Sequence, residues 1–171
     1  LAMLPINIHK DCRLFLSDER YVPATSEQNN TKHLLSSLEK LNCINQFIQI
    51  DTSLKLKEAV SRYDKELQNI KQPSLGLLGI GADGHTAGLF STDNDFLDSC
   101  KFSIDCLRPD GIHGISVTKK FIHTVKKIII LASGESKKPI LMDLKNNPSS
   151  IIAGLVLNNH PNTEVWTDIS I

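Results

Sequence analysis

Short apolar runs alternate along the chain with longer segments in which apolar residues recur every three or four positions. The short runs predict strands, and the longer segments predict amphipathic helices. The continuous run KIIILA is typical of a strand buried on both faces. Pro139 fits only the first turn of its helix, and Ser53 is a predicted N-cap. The predicted strands are residues 12–16, 46–50, 75–80 and 127–132, and the predicted helices are residues 27–41, 53–70 and 137–147.

Strands that alternate with helices predict an α/β fold with right-handed crossovers and a mainly parallel sheet flanked by helices. The chain shows no internal repeat or linker, and 171 residues are enough for one domain but tight for two. Residues 1–171 are therefore predicted to form a single domain. In such sheets ligands bind outside the carboxyl ends of the strands, so the residues after each apolar run are the first candidates for binding or catalysis.

Composition and charge argue against several functional classes. Nineteen basic residues balance nineteen acidic ones, so the positive charge typical of nucleic-acid-binding proteins is missing. No apolar run approaches the roughly 18 residues of a membrane span, and the N-terminal residues lack a signal-peptide pattern. The cysteines contain no C-x-x-C pair and are expected to be buried or half-buried thiols in a reducing cytoplasm; they are Cys12, Cys43, Cys100 and Cys106.

The most informative strand end is the glycine-rich segment GIGADGHTAGLF at residues 79–90. Its glycines permit positive φ angles and close approach of the backbone to a ligand. They also leave amides free to face an anion at the start of a following helix. Asp83 and His85 lie two residues apart on this turn, and a carboxylate can fix the tautomer of an imidazole and raise its basicity. The alternative is that Asp83 only caps the following helix and His85 has no functional role.

Two further strand ends carry charged residues. Asp18, Glu19 and Arg20 directly follow the first predicted strand, although any strand that leaves a core meets polar residues. Lys137 lies at the start of a helix, where its charge opposes the helix dipole. A bound anion between this lysine and the helix amides would remove that conflict, and a solvated surface lysine is the alternative.

Together these segments resemble the 6-phosphogluconolactonase family, which shares a superfamily with the glucosamine-6-phosphate isomerases. The resemblance runs from about Pro5 to Asp168. It implies a Rossmann-like α/β fold and hydrolysis of 6-phospho-D-glucono-1,5-lactone to 6-phosphogluconate, a cytoplasmic step of the oxidative pentose phosphate pathway. It implies no metal and no organic cofactor. The residues that carry it are SDERYVP at 17–23, Asn30, GIGADGHTAGLF at 79–90, GESK at 134–137 and the Val165-Trp166 pair.

The resemblance also implies roles for individual residues. His85 corresponds to the catalytic histidine of the family, taken as the general base for water, and Asp83 to the acidic residue beside it. Asp18 and Arg20 correspond to positions that line the sugar site. Lys137 corresponds to a lysine implicated in phosphate binding, where a fixed phosphate would orient the substrate.

The implied reaction makes two chemical demands. A water molecule must lose a proton beside C1 of the lactone, which suits the His85 imidazole. A developing oxyanion must be stabilised, which suits Arg20 or the amides of the turn that contains Gly81 and Gly84. In the isomerases a glutamate that helps to open the sugar ring corresponds in position to Phe90 here, and phenylalanine cannot move a proton. Lactone hydrolysis is therefore preferred to isomerisation or deamination.

Two departures from the family pattern leave a competing hypothesis open. Family members usually carry a serine- and glycine-rich phosphate loop before D-E-R, so the domain is expected to be N-terminally incomplete, with an exposed sheet edge and an apolar face that favour a homo-oligomer. The arginine that commonly precedes the strand at residues 115–118 is missing, and His113 or Arg108 could replace it. A non-catalytic sugar-phosphate-binding remnant is the competing hypothesis.

The remaining distinctive residues are expected to have structural and not catalytic roles. No H-x-x-x-H pattern or Cys/His cluster suggests a metal site. Trp166 is expected to pack in the core on a last strand. The only implied partner is a small sugar-phosphate lactone, with no nucleic acid and no membrane. The histidines without a partner motif, expected on the surface or in structural roles, are His9, His33, His123 and His160.

Overall fold

The computed structural model describes residues 7–171, which form eight strands and six α-helices. Residues 1–6 lie outside the described residues. They include Pro5, where the family resemblance starts, and part of the N-terminal segment in which no signal peptide is expected. The strands are β1 (Leu14–Phe15), β2 (Asp18–Arg20), β3 (Phe47–Ile48), β4 (Gly76–Gly79), β5 (Ser103–Leu107), β6 (His113–Val117), β7 (Ile128–Ala132) and β8 (Thr163–Thr167). The helices are α1 (Asn30–Lys40), α2 (Leu56–Gln68), α3 (Asn94–Leu97), α4 (Lys119–Ile122), α5 (Lys138–Asn146) and α6 (Ile152–Leu157).

The parallel strands form two sheets. Strands β4, β7 and β8 pair in that order, with Leu78 opposite Ile130 and Ile130 opposite Val165. Strand β1 pairs in parallel with β3. Buried residues of the strands and of helices α2, α4, α5 and α6 join one hydrophobic core. The predicted α/β fold, with parallel strands flanked by helices, is confirmed.

A third sheet, which the sequence pattern does not predict, is antiparallel. Its strand order is β2-β6-β5. The D-E-R segment lacks the alternation of apolar and polar residues that indicates a strand, so pattern alone places it after a strand rather than in one. Because side chains alternate along a strand, Asp18 and Arg20 lie on one face of β2 and Glu19 lies on the other.

The predicted helices are confirmed, with one correction at an N-terminus. Helix α2 buries the predicted face of the 53–70 segment, and the hydroxyl of Tyr63 on that face donates to the carbonyl oxygen of Leu16 at 2.6 Å. The prediction that Ser53 caps this helix is wrong, because Lys55 occupies the N-cap position without a side-chain hydrogen bond. The Ser53 hydroxyl instead donates to Oδ1 of Asp51 at 2.6 Å, as serine and aspartate often do in turns.

One face of the β4-β7-β8 sheet is apolar and exposed. The strand register places Gly79, Leu131 and Trp166 side by side on this face, with Leu77 on the same side of β4. Leu77 is 49% exposed, Leu131 46% and Trp166 54%. The expected apolar face is therefore present. The expectation that β7 is buried on both faces is wrong at Leu131, and the core placement of Trp166 is wrong, because the described residues leave these side chains half-uncovered.

The thiols divide into two pairs. Cys43 and Cys106 are buried, whereas Cys12 and Cys100 are exposed, so the expectation that all four are at least half-buried is wrong for the second pair. Residues 7–171 include no helix with the length and apolar character needed to cross a membrane.

Candidate active site

The glycine-rich segment forms a compact loop at the carboxyl end of β4. The Gly81 amide donates to the carbonyl oxygen of His85 at 2.8 Å, and the Gly84 amide donates to that of Gly81 at 3.1 Å. Both amides are thus engaged within the loop, which corrects the expectation that they are free to face an anion. A helix directly after the turn is also ruled out, since the next helix begins at Asn94, and Asp83 therefore caps no helix.

Asp83 and His85 form a direct pair on this loop. Nδ1 of His85 donates to Oδ1 of Asp83 at 2.5 Å, and the His85 amide donates to the same oxygen at 3.3 Å. Partial burial acts to raise the pKa of Asp83, but these hydrogen bonds outweigh burial and hold the pKa below its ordinary value of 3.8. The ionised carboxylate can only accept, so the proton lies on Nδ1 and Nε2 carries the basic lone pair. Among residues 7–171, Nε2 has no hydrogen-bond partner.

Two glycines make room for this pair and for the loop. A Cβ at Gly81 would overlap Nδ1 of His85 and Oδ1 of Asp83. Gly84 has a φ of 81°, which favours glycine, and a Cβ there would lie 2.8 Å from Cβ of Ile151. The missing side chain of Gly81 therefore leaves room for the His–Asp pair. The missing side chain of Gly84 lets the loop pack against the segment that leads into α6.

The loop docks on the antiparallel sheet. The Gly88 amide donates to Oγ of Ser116 at 3.0 Å, and a Cβ at Gly88 would lie 2.8 Å from Cβ of Ser116. This contact joins the loop, which turns between Thr86 and Leu89, to β6. The sequence pattern does not identify Ser116, whose only signal is a hydroxyl between the apolar residues Ile115 and Val117.

Asp18 and Arg20 lie on the sheet face that receives the loop. Asp18 is opposite Ser116 and Arg20 is opposite Gly114 across the β2–β6 pair, and directly opposed residues project from the same face. The side-chain amide of Asn30 donates to the backbone carbonyl of Asp18 at 3.1 Å. The first and second strand ends singled out in the sequence thus meet through β6.

The surroundings of Asp18 resist ionisation of its carboxyl group. Burial raises the pKa of Asp18 above 3.8, although the Ser17 hydroxyl, 3.0 Å away, and the charges of Arg108 and Arg20 act in the opposite direction. Burial, followed by the nearby charge of Asp18, also raises the pKa of Tyr63. Asp18 is therefore a partly buried oxygen acceptor influenced by two nearby arginine charges, which suits contact with hydroxyls of a polar ligand.

Glu19 has a structural role that sets it apart from its neighbours. It is 1% exposed, and its carboxylate accepts from the amides of Arg20 at 2.8 Å, Asn30 at 2.7 Å and Thr31 at 2.7 Å. The latter two are the first amides of α1, which have no partner inside the helix. Glu19 therefore joins α1 to β2 and does not face the site.

Arg108 approaches the site from the turn between β5 and β6. Its guanidinium carbon lies 5.3 Å from the ring centroid of Phe90, and that ring lies 4.4 Å from the imidazole centroid of His85. Cδ of Arg108 lies 3.8 Å from the place where a Cβ on Gly114 would stand. Arg108 therefore extends into the space above Gly114, the residue just before the 115–118 stretch.

Lys137 contacts the glycine-rich loop, whereas His113 has no such contact in the described chain. Nζ of Lys137 donates to the carbonyl oxygen of Ile80 at 2.7 Å. Lys137 is the last residue of a short 3₁₀ turn, Glu135–Lys137, and the N-cap residue of α5. The exposed His113 begins β6, and its carbonyl oxygen accepts from the Tyr21 amide at 2.8 Å. Of the two, the structure brings only Lys137 to the loop.

The other histidines have surface or structural positions, as expected. His9 and His33 are exposed. Nε2 of His160 donates to the carbonyl oxygen of Val125 at 2.9 Å, and His123 makes the same kind of contact with Val156 at 2.8 Å. Over the described range 7–171, no group of three or more His, Cys, Asp and Glu side chains is arranged to hold a metal ion.

Comparison with known protein families shows to which family this chain belongs. The sequence pattern of the family described as glucosamine-6-phosphate isomerases/6-phosphogluconolactonase matches residues 6–166. The chain belongs to this family. Among family members, a 6-phosphogluconolactonase of Helicobacter pylori is 32% identical over 176 residues, which cover 97% of this chain and 75% of the relative. A glucosamine-6-phosphate deaminase of Staphylococcus haemolyticus is 29% identical over 129 residues, 68% of this chain and 53% of the relative.

Solved structures of the glucosamine-6-phosphate isomerase/6-phosphogluconolactonase family share the fold. The crystal structure of 6-phosphogluconolactonase from Thermotoga maritima superposes with a TM-score of 0.79 at 26% identity, covering 91% of this chain and 71% of that one. The 6-phosphogluconolactonase from Plasmodium vivax gives a TM-score of 0.78 at 20% identity, covering 97% and 71%, and this likeness concerns the fold alone.

Proposed function

We propose that this chain hydrolyses 6-phospho-D-glucono-1,5-lactone to 6-phosphogluconate, with His85 as the general base for water. The observation that carries the proposal is the Asp83–His85 pair after β4, which orients the imidazole with Nε2 unpartnered among the described residues. The similarity to proteins named 6-phosphogluconolactonase supports the substrate class.

The reaction adds one water molecule across the ester bond of the ring. Nε2 of His85 takes a proton from water while the water oxygen attacks C1, and the carbonyl oxygen becomes an oxyanion. Collapse of this intermediate breaks the bond between C1 and the ring oxygen. The ring oxygen takes the proton from His85 and becomes a hydroxyl, and the new carboxylic acid loses its proton to solvent. Asp83 stabilises the imidazolium that exists between the two transfers.

The charged residues around the loop bind and orient the substrate. The amides of Gly81 and Gly84 are engaged within the loop, so the donor to the oxyanion is Arg20 or one of the other amides of the turn at residues 81–85. Asp18 accepts hydrogen bonds from sugar hydroxyls, and Lys137 contributes charge for the phosphate.

Isomerisation or deamination of glucosamine 6-phosphate is the alternative, and the site does not favour it. The resemblance places Phe90 where the isomerases have a proton-moving glutamate. The Phe90 ring packs 4.4 Å from that of His85, so this position contributes an apolar wall beside the base and no titratable group.

The test is the loss of lactone above its spontaneous background, with the substrate generated in situ. The His85→Ala variant is compared with His9→Ala, since His9 also lies beside an aspartate, Asp11 at 3.6 Å, but both are exposed and outside the loop. We expect wild type and His9→Ala to accelerate hydrolysis and His85→Ala to be slower by about 10²–10⁴-fold.

Two results would count against the proposal. A folded wild-type chain without any acceleration would refute the lactonase activity. Full activity in His85→Ala would refute the role of His85 and leave the activity itself established.

A further inference from the structure

Arg108 has hydrogen-bonding capacity that the described chain does not use. Its side chain is only 17% exposed. Within residues 7–171 its hydrogen bonding is limited to Nε, which donates to Oδ2 of Asp110 at 3.2 Å. The two terminal nitrogens carry four N–H groups with no acceptor in the described part of the chain. This fork of donors is therefore free to bind the acceptor oxygens of a ligand.

Two contacts and the open space at Gly114 orient the guanidinium group. Asp110 holds Nε, the face of Phe90 lies 5.3 Å from the guanidinium carbon, and Cδ extends into the space left by Gly114. A guanidinium held in this way loses little side-chain entropy when a ligand binds.

The position of Arg108 connects the two halves of the site. Phe90 packs against His85, and the guanidinium group of Arg108 lies over the same ring. The charges of Arg108, from the turn between β5 and β6, and of Arg20, on the same strand as Asp18, both act on Asp18. A ligand whose anionic group binds Arg108 can therefore also reach the base and the D-E-R face.

We propose that Arg108 binds the phosphate group of the lactone through its two terminal nitrogens and so sets the preference for phosphorylated over unphosphorylated lactones. The inference rests on the proposed function. A phosphate presents paired oxygens that match the planar guanidinium fork. Lys137 acts differently, as a point charge with one N–H already given to the carbonyl oxygen of Ile80.

The test compares Arg108→Gln and Arg108→Lys with Arg62→Gln on two substrates, 6-phosphogluconolactone and glucono-1,5-lactone. Arg62 is a matched control, because it also pairs with an aspartate, Asp51 at 3.1 Å, but is 61% exposed on α2. We expect Arg108→Gln to lower kcat/KM for the phosphorylated lactone by about 10- to 100-fold, mainly through KM. Hydrolysis of the unphosphorylated lactone should not change, and Arg108→Lys should recover part of the loss. Arg62→Gln should leave both rates unchanged.

Two outcomes would overturn the inference. One is an unchanged KM for the phosphorylated lactone in Arg108→Gln. The other is an equal loss on both substrates, which would indicate a role in chemistry or in folding. If Arg108→Gln does not fold, Arg108→Lys tests the inference instead. This variant keeps the charge but loses the guanidinium fork, so its preference for the phosphorylated substrate must still be lower than that of wild type.

A binding measurement separates this inference from the proposed function. The dissociation constants of 6-phosphogluconate and gluconate are measured by calorimetry for wild type and Arg108→Gln. Weaker binding of 6-phosphogluconate alone in the variant would support the role of Arg108 even if the wild type hydrolyses no lactone. Equal binding in the two proteins would refute the role of Arg108 even if the wild type is an active lactonase.

Discussion

Gly81 lies against His85 so closely that a Cβ at position 81 would overlap Nδ1 of the imidazole. We expect Gly81→Ala to displace the imidazole from Asp83 and to lower kcat by about 10²-fold, as a misplaced reacting group does. Gly79→Ala is the matched control, because a Cβ there meets nothing within 4 Å. Lactone hydrolysis by the two variants is compared with wild type, and equal rates in all three would contradict the role assigned to Gly81.

The pH dependence of stability should reveal the buried carboxyl group of Asp18. Burial raises its pKa above 3.8, so the folded state binds a proton more tightly than the unfolded state does. The contribution of Asp18 to stability is therefore fully present below pH 3.8 and is lost as the pH rises through the raised pKa. We expect the free energy of unfolding of Asp18→Asn to exceed that of wild type by a margin that grows as the pH rises through this range. Urea unfolding at a series of pH values measures the difference.

Asp51 provides a control of opposite sign. The hydroxyl and amide of Ser53 lower the pKa of Asp51 below 3.8, so its contribution is present above pH 3.8 and is lost as the pH falls through the lowered value. Asp51→Asn should therefore be less stable than wild type at neutral pH, with a difference that shrinks in acid. The same direction of change in both variants would contradict the environment described for Asp18.

Removal of the Glu19 carboxylate should destabilise the fold. Its loss leaves the first amides of α1 buried without partners, and we expect Glu19→Ala to lower the free energy of unfolding by about 1–3 kcal/mol. The control is Glu39→Ala, an exposed position on the same helix, with an expected change within about 0.5 kcal/mol. Urea unfolding measures both, and a Glu19→Ala variant as stable as Glu39→Ala would contradict the capping role.

The sequence predicts those parts of the fold that depend on local pattern. The periodicity of residues 53–70 predicts α2 and its buried face, and the run at 127–132 predicts β7. The antiparallel pairing of β2 with β6 escapes prediction, because it joins residues about a hundred positions apart and D-E-R has no strand pattern of its own. The cap of α2 escapes prediction as well, since Ser53 forms a local turn with Asp51.

In the site, too, contacts between residues close in sequence are predicted, whereas contacts between distant residues are not. Asp83 and His85 are two residues apart, so sequence alone predicts their pairing. The separation of Glu19 from Asp18 and Arg20 depends on which face of β2 meets α1, and the contact of Gly88 with Ser116 depends on the third sheet. The roles proposed for the site residues stay predictions until the variants are measured.

The exposed apolar face of the β4-β7-β8 sheet has an optical consequence. Trp166, the only tryptophan of the chain, is 54% exposed on this face beside Leu131. Its fluorescence should emit at long wavelength and be quenched readily by acrylamide. Short-wavelength emission with poor quenching would show that the face is covered in solution. A change from one behaviour to the other as the chain is concentrated would make this single indole a reporter of self-association.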